Sequence, residues 1–154
     1  MHLVEINSSN WEEVVSLTTN ENGIPTLHEP FLASNAYSIL QSQFQSGWNV
    51  RGIEEGGRMI GFTMYGFNEE EHFYEICRLM IDRRYQGKGF GRKALRLIIG
   101  EMKKLSGEIY ISAEPENKRA LHLYQSEGFS DTGTLLEGEK LLKLSESSKK
   151  AAEF

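Results

Sequence analysis

The sequence predicts a mixed α/β fold, an α+β arrangement in which helices cover both faces of one mixed sheet. Three observations lead there. Strand-like and helix-like runs alternate in the order β-α-α-β-β-β-α-β-α-β-β. A Gly-Gly pair, Gly56-Gly57, sits between two strand-like runs and supplies the positive φ angles of a tight hairpin. A strand-like run, a glycine-rich turn, a helix-period run and a further strand-like run follow one another from Phe73 to Ala113, which predicts a crossover joining two parallel strands.

The elements are justified in order. Leu3 to Asn7 reads as a short strand. Asn10, with Glu13 three residues on, has the spacing of a capping box and opens a helix over "WEEVVSL". The stretch "TTNENGIPTLHEP" carries Asn22-Gly23 and two prolines and is a loop. Phe31, Ala36, Ile39, Leu40 and Phe44 recur at helical spacing and predict a second helix. The hairpin runs from Trp48 to Phe67, and Phe73 to Asp82 adds the next strand. Leu95, Ile98, Met102 and Leu105 mark a long helix that starts near Gly89. Glu108 to Ala113 is a strand, "NKRALHLYQSEG" a helix stopped at Gly128, and two last strands turn at Glu137-Gly138. Residues 1–144 are expected to form one domain, and the polar residues 145–154 a frayed tail.

Composition narrows the function classes. The 154 residues carry a net charge of −5. Between Arg83 and Arg96 stand six basic residues and no acidic one, leaving 11 basic against 22 acidic residues elsewhere. An acidic body with one basic patch suits an anionic ligand at the patch and a cationic one elsewhere, and argues against nucleic acid. One cysteine, Cys77, precludes an internal disulfide. With no basic-then-apolar opening and no apolar run near the roughly 20 residues of a membrane helix, a cytoplasmic location without membrane contact is expected. The four histidines lack metal-ligand spacing, so no metal is expected.

The basic patch contains the glycine turn. Backbone N–H groups free of side chains, at the start of a helix, form an anion site suited to a phosphate or pyrophosphate. No glycine-lysine pair is followed by Ser or Thr, so a triphosphate P-loop is excluded. Gly87, Gly89 and Gly91 have the wrong final spacing for a dinucleotide fingerprint. The pattern Gln86-x-x-Gly89-x-Gly91 instead resembles the acetyl-CoA pyrophosphate loop of the GNAT acetyltransferases. The resemblance extends to "CRLMID" before the loop and to Asn117, Tyr124, Gly128 and Phe129 after it. The N-terminal helices and "RLMIDRRYQGKGFG" look similar to bacterial spermine/spermidine (diamine) acetyltransferases, although "TNENGIPTLHEP" is longer than that pattern.

The resemblance implies a fold, a co-substrate and roles. It implies the acyl-CoA N-acyltransferase fold, acetyl-CoA as co-substrate, a small cationic amine as acceptor, and a homodimer by family analogy. It places the cofactor against Leu79, Met80 and Ile81, whose strand should splay and offer a backbone N–H to the thioester oxygen, and against Gln86, Gly87, Lys88, Gly89, Phe90, Gly91, Arg92 and Asn117. Lys88, Arg92 and Lys93 would add positive charge. Tyr124 becomes the proton donor to the departing thiolate, with core packing as the alternative. Glu75, a carboxylate in an otherwise apolar strand, is the candidate base through a water relay; the alternatives are pairing with Arg78 or facing solvent. Glu29 and Glu75 are the candidate acceptor ligands; Glu69, Glu70 and Glu71 could attract a polycation as well, with a solvated charged loop as the alternative. Cys77 could approach the thioester or be a small buried residue. An acceptor other than a polyamine (a protein N-terminus, lysine or aminoglycoside) and a non-catalytic CoA sensor are the rival functions.

Overall fold

A computed structural model describes residues 1–146. Its central sheet has seven strands: β1 (His2–Glu5), β4 (Trp48–Glu55), β5 (Arg58–Asn68), β6 (Phe73–Ile81), β7 (Glu108–Ala113), β8 (Ser130–Leu136) and β9 (Glu139–Ser145). Their order is β1-β4-β5-β6-β7-β9-β8, antiparallel except for the β6–β7 pair. Ser145, assigned to the tail by sequence, closes β9, and residues 147–154 of the expected tail lie outside the described residues. A small hairpin of β2 (His28–Glu29), in the expected loop, and β3 (Leu32–Ala33), in the run expected to be helical, stands apart from the sheet.

Helices cover both faces. α1 (Trp11–Ser16) and α2 (Asn35–Phe44) close one face over Val14, Leu17, Phe62, Met64 and Met80. α3 (Phe90–Lys103) and α4 (Lys118–Ser126) close the other over Leu95, Ile98, Met102, Ile111 and Leu142. Each fully buried aliphatic side chain contributes about 1.5–3 kcal/mol. The apolar period of α3 holds: Leu95, Ile98 and Met102 are all 0% exposed.

Two local readings are corrected. α2 begins at Asn35, not Phe31, because the Ser34 hydroxyl accepts from Tyr37 N at 3.1 Å and caps the helix there. Phe31 lies in the β2–β3 turn with φ of 67°, and Leu40 and Phe44 are exposed. The buried face of α2 is partly polar: Asn35 Nδ2 donates to Val14 O at 2.9 Å, fastening α2 to α1. Asn10 occupies the N-cap position of α1, but its side chain makes no cap bond. Its Oδ1 accepts from Asn7 N and its Nδ2 donates to Glu5 O, each at 2.8 Å, so it braces the turn before the helix.

The sheet splits where the site lies. β6 and β7 pair only at Glu75↔Tyr110 and Ile76↔Ile111. On the other edge of β6 the register slips, with Ile76 opposite Tyr65 but Arg78 opposite Met64, so Cys77 is an extra residue. Such a bulge bends its strand. Beyond Ile76 the two parallel strands part and leave one edge of β6 open. Among the described residues no helix is long and apolar enough to cross a membrane.

Candidate active site

A cleft of about 1590 Å³ runs through this split. The open edge of β6, from Cys77 to Ile81, forms one wall. Alternate N–H groups on an unpaired strand edge point outward and can bond an extended polar chain or a carbonyl oxygen. The side chains of Leu79, Met80 and Ile81 pack into the core, so these residues reach the cleft with their backbone.

The glycine turn closes one end. A short 3-10 helix, Arg83–Tyr85, follows β6, and Gln86 Nε2 donates to Ile81 O at 2.9 Å, folding the turn back onto the strand. Gly87 and Gly89 have φ of 76° and 82°, and Gly89 is the left-handed N-cap of α3. Phe90 packs beside Ile53, Ile60 and Ala94, anchoring the helix start. The N–H groups of the first turn are thus held open for an anion.

The basic patch is smaller than its residue count. Arg92 donates to Glu127 Oε1 and, at 2.7 Å, to Ser126 Oγ. Lys93 Nζ meets Glu55 at 2.7 Å, Arg96 Nε meets Glu127 at 2.8 Å, and Arg84 meets Asp82 at 2.8 Å. Arg92 and Lys93, expected to add charge for a phosphate, are held by carboxylates that the fold brings to α3. Lys88 has no carboxylate partner among the described residues and lies 5.9 Å from the Tyr85 ring centroid. Asn117 lines the cleft and caps α4, its side chain accepting from Ala120 N at 3.3 Å.

Two titratable groups line the cleft from opposite faces of the sheet. Tyr124 comes from the α3/α4 side and is only 9% exposed. Burial, with the charge of Glu139 second, pushes its phenol up to about 12, so it keeps its proton. Glu75 is 6% exposed and faces the α1/α2 side, in register with Gly66 on β5 and Tyr110 on β7. Burial raises its carboxyl above the ordinary value, against the opposing pull of Asn68 and Arg78. Asn68 Nδ2 donates to Glu75 Oε2 at 2.8 Å, while Asn68 Oδ1 accepts from Glu70 N and Glu71 N, both at 3.1 Å.

Glu75 therefore neither faces solvent nor bonds Arg78. The Arg78 guanidinium turns back on its neighbour, donating to Cys77 O at 3.0 Å and to Cys77 Sγ at 2.8 Å. Its Nε is buried without a hydrogen-bond partner. Burial pushes the Cys77 thiol up to about 12, which keeps it protonated and poorly nucleophilic.

Glu29 lines the cleft, but its oxygens are occupied. Oε1 accepts from Thr19 N and Oγ1 at 2.8 and 2.9 Å, and Oε2 from Thr18 Oγ1 and Thr26 N at 2.7 and 3.3 Å. Four donors fill the four acceptor sites of a carboxylate. Glu29 pins the long loop after α1, which corrects its expected role as an ammonium ligand. Asn68, Ser112 and Glu139 also line the cleft and were not anticipated. Asn68 reads as a turn residue and Glu139 as part of a charged hairpin, and no spacing in the sequence joins either to Tyr124. Among the described residues no cluster of His, Cys, Asp or Glu could hold a metal.

The chain matches the model described as the acetyltransferase (GNAT) family over residues 11–129. It is 37% identical over 100 residues to the spermine/spermidine N(1)-acetyltransferase of Bacillus subtilis, an alignment that covers 59% of this chain and 66% of the relative, just under two thirds of its length. It is 30% identical over 108 residues to the L-amino acid N-acyltransferase MnaT of Escherichia coli, covering 67% of this chain and 62% of the relative. In fold it is similar to the spermidine N-acetyltransferase of Vibrio cholerae solved in complex with CoA and spermine, with a TM-score of 0.71, 21% identity and 95% of each chain covered.

Proposed function

Because the chain belongs to the GNAT acetyltransferase family, we propose that it moves the acetyl group of acetyl-CoA to a primary amine of a small polyamine, by direct attack in a ternary complex. The observation that carries this reading is that one cleft is lined by both a buried carboxyl with raised proton affinity, Glu75, and a buried, protonated phenol, Tyr124.

The residues divide the work. The open edge of β6 takes the pantetheine arm and offers an N–H to the thioester oxygen, where negative charge develops. The glycine turn and Lys88 take the pyrophosphate. The acceptor enters from the α1/α2 side as an ammonium. Glu75, directly or through one water, removes a proton, and the amine nitrogen bonds to the thioester carbon. The carbon–sulfur bond then breaks, Tyr124 gives its proton to the sulfur, and the second proton on the new amide nitrogen passes to the Tyr124 phenolate, directly or through water, which restores the phenol. A phenol at about 12 stays protonated and neutral until a thiolate forms beside it. The protonated Cys77 gives no support to a covalent relay.

A second reading has its own observation. The buried, unpartnered Nε of Arg78 in the same cleft would suit a carboxylate, hence an amino-acid acceptor. Thiol release from acetyl-CoA is therefore measured across spermine, spermidine, a monoamine, an amino acid, an aminoglycoside and an N-terminal peptide. Spermidine or spermine is expected to have the highest kcat/KM, and Tyr124→Phe to lower turnover on it about 10- to 1000-fold. Preference for the amino acid or another acceptor overturns the polyamine reading. No turnover with any amine favours a CoA sensor.

Gly89→Val tests the anion site. The added Cβ would meet nothing within 4 Å, so the effect is conformational: a β-branched residue is strained at φ of 82°. Relieving that strain turns the N–H groups away. Acetyl-CoA affinity is expected to fall roughly tenfold or more by calorimetry. Unchanged affinity in a folded variant removes the pyrophosphate from this turn.

A further inference from the structure

The register of the sheet brings a second carboxylate to the reacting end of the cleft. Ser112 pairs with Leu141, and residues two apart on a strand share a face, so Glu139 lies on the same side as Ser112. Tyr110, two residues before Ser112, pairs with Glu75. Glu75, Tyr110, Ser112 and Glu139 therefore stand on one face, the one toward α1 and α2, on either side of the split. Glu139 Oε2 accepts from Ser112 Oγ at 2.8 Å. No Lys or Arg pairs with Glu139 among the described residues.

An acidic pair alone does not make a site, but a third group lines the same cleft from the other face of the sheet. Tyr124 is nine-tenths buried, lines the cleft, and its hydroxyl makes no hydrogen bond among the described residues. The charge of Glu139 is felt at Glu75 and Cys77 on β6 and at Tyr124 on α4. The other groups acting on Glu75 are Arg78 on its own strand, Asn68 at the end of β5 and Glu71 in the loop between β5 and β6.

We propose that Glu139, steadied by Ser112, is an acceptor-binding carboxylate that holds the incoming ammonium beside Glu75. The proposal rests on the amine acetyltransferase reading and adds the residue that orients the acceptor. Two carboxylates serve one ammonium with different results. Glu75, deeper and better desolvated, takes the proton. Glu139, less buried and bonded to Ser112, keeps the cation in place until that transfer. Its negative charge also raises the proton affinity of Glu75, so the pair is matched to a substrate that arrives charged.

Glu139→Gln and Glu139→Asp test this on the full chain with spermidine and a monoamine. The amide removes the charge and keeps the shape. KM for the amine is expected to rise about five- to tenfold, with KM for acetyl-CoA unchanged. The acid limb of kcat/KM should move to lower pH, because Glu75 loses a like charge that raised it. Glu139→Asp should restore the acid limb and recover part of the KM. Ser112→Ala should shift KM in the same direction by less. An unmoved amine KM and acid limb in a folded Glu139→Gln variant overturn the proposal, whatever the thermal stability does. If wild type prefers an acceptor other than a polyamine, the polyamine reading fails by itself, and the same variants are run with the preferred amine. If wild type acetylates spermidine and Glu139→Gln matches it, this inference fails alone.

Discussion

Glu75→Gln is expected to lower kcat/KM for the acceptor about 100- to 10,000-fold while acetyl-CoA affinity stays unchanged. The amide keeps the size of the side chain and can accept from Asn68 Nδ2, the 2.8 Å contact that fixes Glu75 in place. It cannot take a proton. Wild-type activity should rise with pH through a limb above the ordinary carboxylate range, since burial raises the Glu75 carboxyl, and that limb should vanish in the variant. The stability effect has the opposite sign. A folded-state pKa above the unfolded one favours folding below the unfolded value and is lost as pH rises through the folded value. Above the folded value the buried Glu75 carboxylate therefore works against folding, and there Glu75→Gln should be at least as stable as wild type by thermal melting. A variant that keeps wild-type turnover, with chemistry rate-limiting, removes Glu75 as the base.

The second large effect falls on the fold. Gly66→Ala is expected to destabilise the protein by about 2–4 kcal/mol. A Cβ on Gly66 would lie 1.9 Å from Gly47 O, a backbone atom that cannot swing away. That oxygen also accepts from Phe67 N at 3.1 Å, so the start of β4 and the end of β5 are in direct backbone contact. Forcing them apart moves Trp48 and Ser46, which line the acceptor side of the cleft. The melting temperature should fall by roughly 5–15 °C, and KM for the amine should rise in what remains folded. A change of less than about 2 °C would show that the two strands separate easily.

Much of the fold is local in origin and was legible. The two strand-like runs "WNVRGIEE" and "RMIGFTMYGF" around Gly56-Gly57 identify a hairpin because the glycines supply the positive φ angles of a tight turn. The spacing of Leu95, Ile98 and Met102 identifies α3 because one helical stripe must be buried. The glycine turn at the start of α3 was legible because positive φ and a helix start are encoded side by side. α2 was misread for the converse reason: its inner face uses Asn35 and Ser38, whose burial depends on partners in α1 and at Ser34.

The sequence by itself determined the order of elements, the glycine turn, the membership of residues 11–129 in a family, and the candidacy of Tyr124 and Glu75. Tertiary structure decided which groups are free to act. Glu29 and Arg92 have the right chemistry for a ligand, yet long-range contacts with Thr18, Thr19 and Thr26, and with Ser126 and Glu127, occupy them. Glu139 carries no signal in its own hairpin, and it reaches Glu75 only because β7 pairs with β6 on one side and with β9 on the other. The physical reason is range. Backbone geometry and apolar period act over a few residues and are written in the chain. Desolvation and charge pairing depend on neighbours that only the closed sheet brings within a few ångströms.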